Sequence, residues 1–390
     1  MNKLFRKCLA VSLLLSLVLS GCGNAGQSTD SAAGGNSGNS SSGSEQIVIG
    51  FLGPMTGNNA TDGKDMLNAV EMAVHKVNEA GGVNGKQIKV EVADDGCDPQ
   101  MATSAANKLV SLNVVAVVGG YCSGSTLPAS GVFENAGIPL VVTAANSSKL
   151  PEQGYQTLFL INGLVPDQAK TAMEYAMKKN AKNIALIHDN SAYAKDLADS
   201  AKAVVEQAGG KVIAYEAINP EEKDFSALVT KLKSLAPDAV YFTGYYAAGG
   251  LLVKQFRQKE VPGMFIVGDG SFSEDLIEIA GPENAEGVLI SATPTAEFIE
   301  GAEAFVDEYK KTYGIAPGPF SALTYNGVNL LVDALKRAGA AEKEAVRVAL
   351  KETKDFQALG QTITFNERNT LDTSNFAVLQ VELGTFKLAE

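Results

Sequence analysis

Ser123 stands where its type and neighbours could do chemistry, within the stretch VVAVVGGYCSGST at 114–126. The β-branched run at 114–118 reads as a strand buried on both faces, and Gly119 and Gly120 close it. The segment STLPAS after it begins a helix. Strand, glycine turn and helix in that order put Ser123 outside the carboxyl end of a parallel sheet, where open α/β sheets take ligands. A hydroxyl beside the free N–H groups of a helix start forms an anion site, and a carboxylate is the anion assigned to Ser123. The simpler use of Ser123 or Ser125 is to cap the helix.

A hydrolytic constellation can be drawn from Ser123 as nucleophile, His188 as base and Asp189 as orienter. The word around Ser123 is YCSGS, however, and not the G-x-S-x-G elbow. Adjacent His188 and Asp189 at an extended strand end also point their side chains apart. His188 therefore reads as structural, and the chain is expected not to be an enzyme. No G-x-x-x-x-G-K-[ST] phosphate loop occurs. Only His75 and His188 could join cysteines at a zinc, and neither has ligand spacing, so no metal and no cofactor is expected.

Positioning Ser123 takes a strand–helix rhythm, and the chain has one. A strand at 47–52 leads to the small-residue loop GPMTGNNATDG, where Asp62 reads as solvated or as the cap of a helix starting near 63–64. Met66, Val70, Ala73, Val74 and Val77 continue that helix, which Gly81 and Gly82 end. An alternating strand follows at 87–93, then a helix that Asp98-Pro99 caps and starts, running to 109. The Ser123 unit comes next, then a strand at 138–143 and the loop AANSS. Four such steps to about residue 150 make a parallel sheet with helices on both faces. The rhythm restarts with helices at 166–179, 193–208, 225–235, 249–259 and 275–280, and strands at 184–188, 212–215, 239–243, 264–267 and 287–292. Helices at 298–313, 321–338 and 341–351 and strands at 363–365 and 376–381 finish the chain. The expected fold is α/β, two doubly wound parallel-sheet lobes joined by a multi-segment hinge. The lobes are expected to be 46–164 with 294–373, and 165–293 with 374–390. Such a pair with a cleft suits capture of a small ligand by domain closure.

The totals agree with a folded, exported protein. Its 390 residues, 45% hydrophobic and 19% charged, can fill two cores. Lys3, Arg6 and Lys7 precede an apolar run at 9–19, as in a secretory signal peptide. The net charge is −12. Losing the first 21 residues removes those three cations and no acid, leaving about −15, which argues against nucleic acid and anionic lipid as partners. Leu19-Ser20-Gly21-Cys22 resembles a bacterial lipobox, in which Cys22 becomes the lipidated N-terminus. Residues 23–45, without aromatics or large aliphatics, read as a flexible tether reaching about 26 Å. With Cys8 lost and Cys22 lipidated, Cys97 and Cys122 remain as an even pair after two strands. A disulfide between them would brace the segment that carries Ser123.

Five words fall in the order found in one known family: DDGCDPQMA at 94–102, YCSGSTLPAS at 121–130, HDNSAYAKDLA at 188–198, EKDFSALVTKLK at 222–233 and AVYFTGYY at 239–246. Over 46–390 the chain resembles the leucine/isoleucine/valine-binding proteins of bacterial ABC importers, with the type I periplasmic-binding fold. The resemblance implies that Cys97 and Cys122 form the family's disulfide. It implies that Ser123 binds the ligand carboxylate with its hydroxyl and N–H, with Tyr121 and Cys122 beside it in the ligand set. Ala144 matches a carbonyl that accepts from the ammonium, and Asn146 a threonine that touches both groups. Tyr193 and Tyr245 match aromatics that close over the ligand, although each could be an ordinary surface tyrosine.

Asp269, in VGDGSF, falls where the leucine binders pair a glutamate with the ammonium, unless it is only a turn residue before Gly270. It is one methylene shorter than that glutamate. Asn146 replaces the threonine, and Asp62 stands where the family has a tyrosine near the side-chain pocket. The first expectation is a branched-chain amino acid, and these departures add polar or basic ones. The implied partners are a free amino acid, the transmembrane subunits of an ABC permease, and the membrane through lipid on Cys22. A monomer is expected, on the outer face of a Gram-positive cytoplasmic membrane. A ligand sensor feeding a membrane receptor would need the same capture and closure. The DNA-binding repressors that share the fold need an N-terminal helix-turn-helix, and here that position holds an export signal.

Overall fold

The computed structural model describes residues 46–390, so the expected export signal, Cys8, the expected lipidation site Cys22 and the expected tether lie outside the described residues. The first sheet is made by β1 (Ile47–Gly53), β2 (Ile88–Asp94), β3 (Val117–Gly119), β4 (Leu140–Val142) and β5 (Leu158–Leu160). All are parallel, in the order β2-β1-β3-β4-β5. Between them run α1 (Ala60–Glu79), α2 (Pro99–Ser111), α3 (Ser123–Ala136) and the single turn α4 (Lys149–Glu152). Ile49, Phe51, Val118, Val141 and Phe159 pack on one face of the sheet, and Leu52, Val117, Leu140 and Val142 on the other. Each is fully buried, which is why the central strands read as continuous apolar runs, while the edge strand β2 alternates.

The second sheet repeats the plan. After α5 (Val165–Lys178) come β6 (Asn183–His188), α6 (Ala192–Gln207), β7 (Lys211–Ala217), α7 (Ser226–Leu235), β8 (Ala239–Phe242), α8 (Tyr246–Gln258) and β9 (Met264–Gly268). Then follow α9 (Glu274–Ala280), α10 (Pro282–Ala285), β10 (Leu289–Ala292), α11 (Glu303–Tyr313), α12 (Ser321–Ala338) and α13 (Lys343–Lys351). The hairpin β11 (Phe356–Ala358) and β12 (Gln361–Ile363) stands apart, and β13 (Ala377–Glu382) and β14 (Thr385–Leu388) end the chain. The parallel strands run β10-β9-β8-β6-β7, the order of the first sheet, with β13 and β14 added antiparallel at the β10 edge. The second sheet is thus mixed, where the sequence suggests a parallel one. Helix α12 returns to pack on α1, β3 and β4, so the chain leaves the first sheet's elements after β5 and comes back after β10.

In both sheets the strand order reverses beside the first strand. In the first sheet the crevice opens between the loops after β1 and β3, in the second between those after β6 and β8. Every residue singled out for ligand contact follows one of these strand ends or an adjacent one. The β3 turn needs its glycines, because Gly119 has φ +127 and a Cβ there would come within 2.2 Å of the Leu52 carbonyl oxygen.

Candidate functional site

Ser123 opens α3, with Cys122 at the N-cap position and no side chain capping the helix. Its hydroxyl is therefore not used as a cap, and neither is that of Ser125, which donates to Asp95 at 3.0 Å. Ser123 Oγ accepts from the Ser147 N–H at 3.2 Å, so its own hydrogen is free to be donated. The Ser123 and Gly124 N–H groups lie in the first turn of α3, where no carbonyl inside the helix can take them. Cys122 is joined to Cys97 by the disulfide, which ties the loop after β2 to the start of α3.

The AANSS loop after β4 links Ser123 to the acid on the other sheet. Asn146 Nδ2 donates to Asp269 Oδ2 at 3.0 Å and to Gln168 Oε1 at 3.1 Å. Ser147, the next residue, holds Ser123. Neighbouring residues, whose Cα atoms are about 3.8 Å apart, thus bond the hydroxyl and the acid. Ala144 O accepts from Asn162 Nδ2 at 2.7 Å and keeps its second lone pair.

Asp269 begins a short turn after β9 and is buried. Burial pushes its carboxyl up to about 6, against hydrogen bonds from Tyr193, Gln168 and the Gly270 N–H. These partners are all neutral. Tyr193, in the first turn of α6, accepts from Gln168 Nε2 and the Gly270 N–H, each at 3.3 Å. Its ring centroid lies 5.6 Å from that of Tyr245, the N-cap of α8. Tyr245 in turn meets Tyr121, centroids 5.9 Å apart.

Asp62 corrects the sequence reading. It is neither a solvated loop residue nor a cap but lies inside the first turn of α1, 3% exposed. It accepts from Tyr121 Oη at 2.7 Å, and burial pushes its carboxyl up to about 8. The helix starts three residues earlier than its apolar spacing suggests, at Ala60.

The structure brings Ser123, Ala144, Asn146, Tyr193, Tyr245, Asp269, Tyr121, Cys122 and Asp62 around the two facing crevices. It does not assemble the hydrolytic constellation. His188 Nδ1 accepts from the Asn190 N–H, Asp189 from the Ser191 N–H, and Ser123 is held by Ser147. Among the described residues no group of three or more His, Cys, Asp or Glu is arranged to hold a metal ion. No described helix is long and apolar enough to cross a membrane.

Two site residues escape the sequence reading. Gln168 is fully buried between Asn146, Tyr193 and the Ser291 carbonyl. Its signal was a polar residue on the α5 stripe of Val165, Ala169, Ala172 and Ala176. Asp196 accepts from Ser147 Oγ at 2.7 Å, the Ser148 N–H at 2.7 Å and Ser148 Oγ at 2.8 Å, a second tie between the β4 loop and α6. Nothing in the word AKDLADS sets it apart.

A family model described as periplasmic binding protein matches residues 46–385. In Pseudomonas aeruginosa, a leucine-, isoleucine-, valine-, threonine-, and alanine-binding protein is 33% identical over 337 residues, 86% of this chain and 90% of its own. A Leu/Ile/Val-binding protein of Rhizobium johnstonii is 33% identical over 88% of this chain and 94% of its own. Among solved structures, the branched-chain amino acid transporter substrate binding protein LivJ from Streptococcus pneumoniae, in complex with isoleucine, aligns with a TM-score of 0.83. It is 31% identical over 89% of this chain and 99% of that one.

Proposed function

The chain belongs to the periplasmic binding protein family, and from that premise we propose that it captures a free α-amino acid outside the cytoplasm. The single observation that carries this reading is Asp269, a buried acid with only neutral hydrogen-bond partners, one residue's reach from a hydroxyl at a helix start. A buried carboxylate without a cation is costly, and an ammonium removes that cost. A carboxylate suits Ser123 and the first turn of α3, where N–H groups and the helix dipole favour an anion. An α-amino acid carries both charges, one for each of these partners.

In this reading the carboxylate sits on Ser123. The ammonium sits on Ala144 O and Asp269, with Asn146 between the two charges and Tyr193 and Tyr245 over them. Residues 46–164 with 294–373 form one lobe and 165–293 with 374–390 the other. The ligand loads on the first lobe and the second closes on it. Ligand shifts this equilibrium only by its differential affinity for the closed form. The closed form then delivers the amino acid to the transmembrane subunits of an ABC permease, with the protein held at the membrane by lipid on Cys22. The process is binding without bond making, and the names of the relatives make branched-chain amino acids the first ligands to try.

A thermal-shift screen of the common amino acids on the purified protein tests the reading. At least one free amino acid should raise Tm, by a shift that is lost when its α-carboxylate is amidated. A shift with none of them would refute it.

A further inference from the structure

The end of the site away from Asp269 is rich in acceptors. Asn59, at the N-cap position of α1, does not cap the helix. Its Nδ2 reaches the Cys122 sulfur at 3.8 Å, and its Oδ1 is left buried without a hydrogen-bond partner. Asp62 lies three residues on, so both side chains come off the same side of the first turn. It bonds Tyr121, the neighbour of Cys122. No cation pairs with this carboxyl among the described residues, and the charges that act on it most strongly, Asp65 and Asp275, are acids. Asp62 also lines a cavity of about 440 Å³ with Asp65, Phe272, Ser273 and Asp275.

A row of rings joins the two ends. Tyr193 Oη meets the Gly270 N–H beside Asp269, and the row passes through Tyr245 to Tyr121 and so to Asp62. Buried acids therefore stand at both ends of three tyrosines. A ligand anchored at Asp269 would have to pass three rings, with centroids 5.6 and 5.9 Å apart, to reach the second acid, along aromatic faces that favour a cation. An aliphatic side chain would leave Asn59 Oδ1 unbonded, which is costly, and would offer Asp62 no cation against which to ionise.

We propose that Asn59 and Asp62 form a side-chain subsite that selects amino acids ending in a guanidinium or a second ammonium. The proposal rests on the α-amino acid reading above. It carries a pH signature. The groups facing Asp62 are Asp65 on α1, Asp275 on α9, and Tyr121 and Tyr246, with Lys64, Glu274 and Glu297 on the cavity wall. Burial and the two acids hold the Asp62 carboxyl protonated up to about 8. A cation entering there displaces that proton. Affinity for arginine should rise with pH up to about 8, by at most about tenfold per unit. Leucine meets only Asp269, and its affinity should level off above about 6.

Calorimetric titration with arginine, lysine, leucine and isoleucine at pH 6, 7 and 8 tests this. The expected result is arginine or lysine binding at least about tenfold tighter than leucine. Asp62→Asn should remove that preference and the pH rise, so that arginine and lysine bind no tighter than leucine. Thermal unfolding of the empty variant checks that it folds. Asn59→Ala should weaken arginine in the same direction and less. Binding of leucine and isoleucine alone, or unchanged arginine affinity in Asp62→Asn, overturns the subsite and leaves the α-amino acid reading standing. Binding of no amino acid overturns both.

Discussion

Asp65 and Asp269 are both buried acids that burial pushes toward the neutral form, yet their surroundings differ in kind. Asp65, on α1, accepts from Tyr309 Oη at 2.5 Å, the Gly318 N–H at 2.9 Å and Ser321 Oγ at 2.5 Å. Those donors sit on α11, α12 and the segment between them, which pack against α1. Asp269 draws donors from the other sheet's loops, Asn146 after β4 and Asn162 after β5. Equal burial thus serves two ends. One acid is saturated by partners on elements packed against its own helix, and the other takes partners from the other sheet's loops, which in the proposed reading leave when the lobes part. Only the second can exchange a partner for a ligand.

The largest effect expected from this contrast is on stability at Asp65. Asp65→Ala leaves three buried donors without an acceptor and should cost about 3–5 kcal/mol in denaturant unfolding. Ligand affinity of the folded fraction should stay within about twofold. A stable Asp65→Ala protein with lost affinity would erase the distinction. Asp269→Asn should do the reverse: amino-acid affinity falls by about 2–4 kcal/mol, while the empty protein unfolds at the same denaturant concentration or a higher one. Ser123→Ala sharpens the comparison from the other side of the crevice, weakening binding by about 1.5–3 kcal/mol, the scale of a hydrogen bond to a charged group.

A smaller effect is on pH dependence. Asp62 and Asp269 have carboxyls raised to about 8 and about 6. The native state therefore holds more protons than the unfolded chain in this range, and stability falls as pH rises. Asp95, raised to about 6, adds to this fall, and the lowered His188 opposes it; the empty protein should lose on the order of 5 kcal/mol between pH 5 and 8, and Asp62→Asn should remove the largest share of the slope. The lowered carboxyls, Asp94 and Glu134, act in the opposite direction below the usual carboxylate range and leave this window untouched. An empty protein that gains stability from pH 5 to 8 would contradict the buried-acid picture.

Much of this was legible in the residues. The helix at 321–338 was read to its ends, because an apolar stripe runs between Phe320 and Gly339. The β-branched run at 114–118, the glycines that close it and the STLPAS segment after it place Ser123 at a helix start. The misses have physical causes. The strands β5, β11 and β14 have three or four residues, too few to show a period. The helix assigned from 298 begins at Glu303, after a break at Gly301 with φ +83. GPMTGNNATDG is turn-forming by composition and so reads as loop, while its last residues coil into α1 and Asp62 accepts from Tyr121, a partner distant in sequence. Gln168 and Asp196 act through partners far away in sequence, and no local pattern records those.

A crystal structure of the protein with its bound amino acid tests the central claim most directly. The account predicts the carboxylate within hydrogen-bond distance of Ser123 Oγ and the α3 N–H groups, and the ammonium on Asp269. A closed protein whose ligand leaves the Ser123 turn empty, or turns its ammonium away from Asp269, would contradict it.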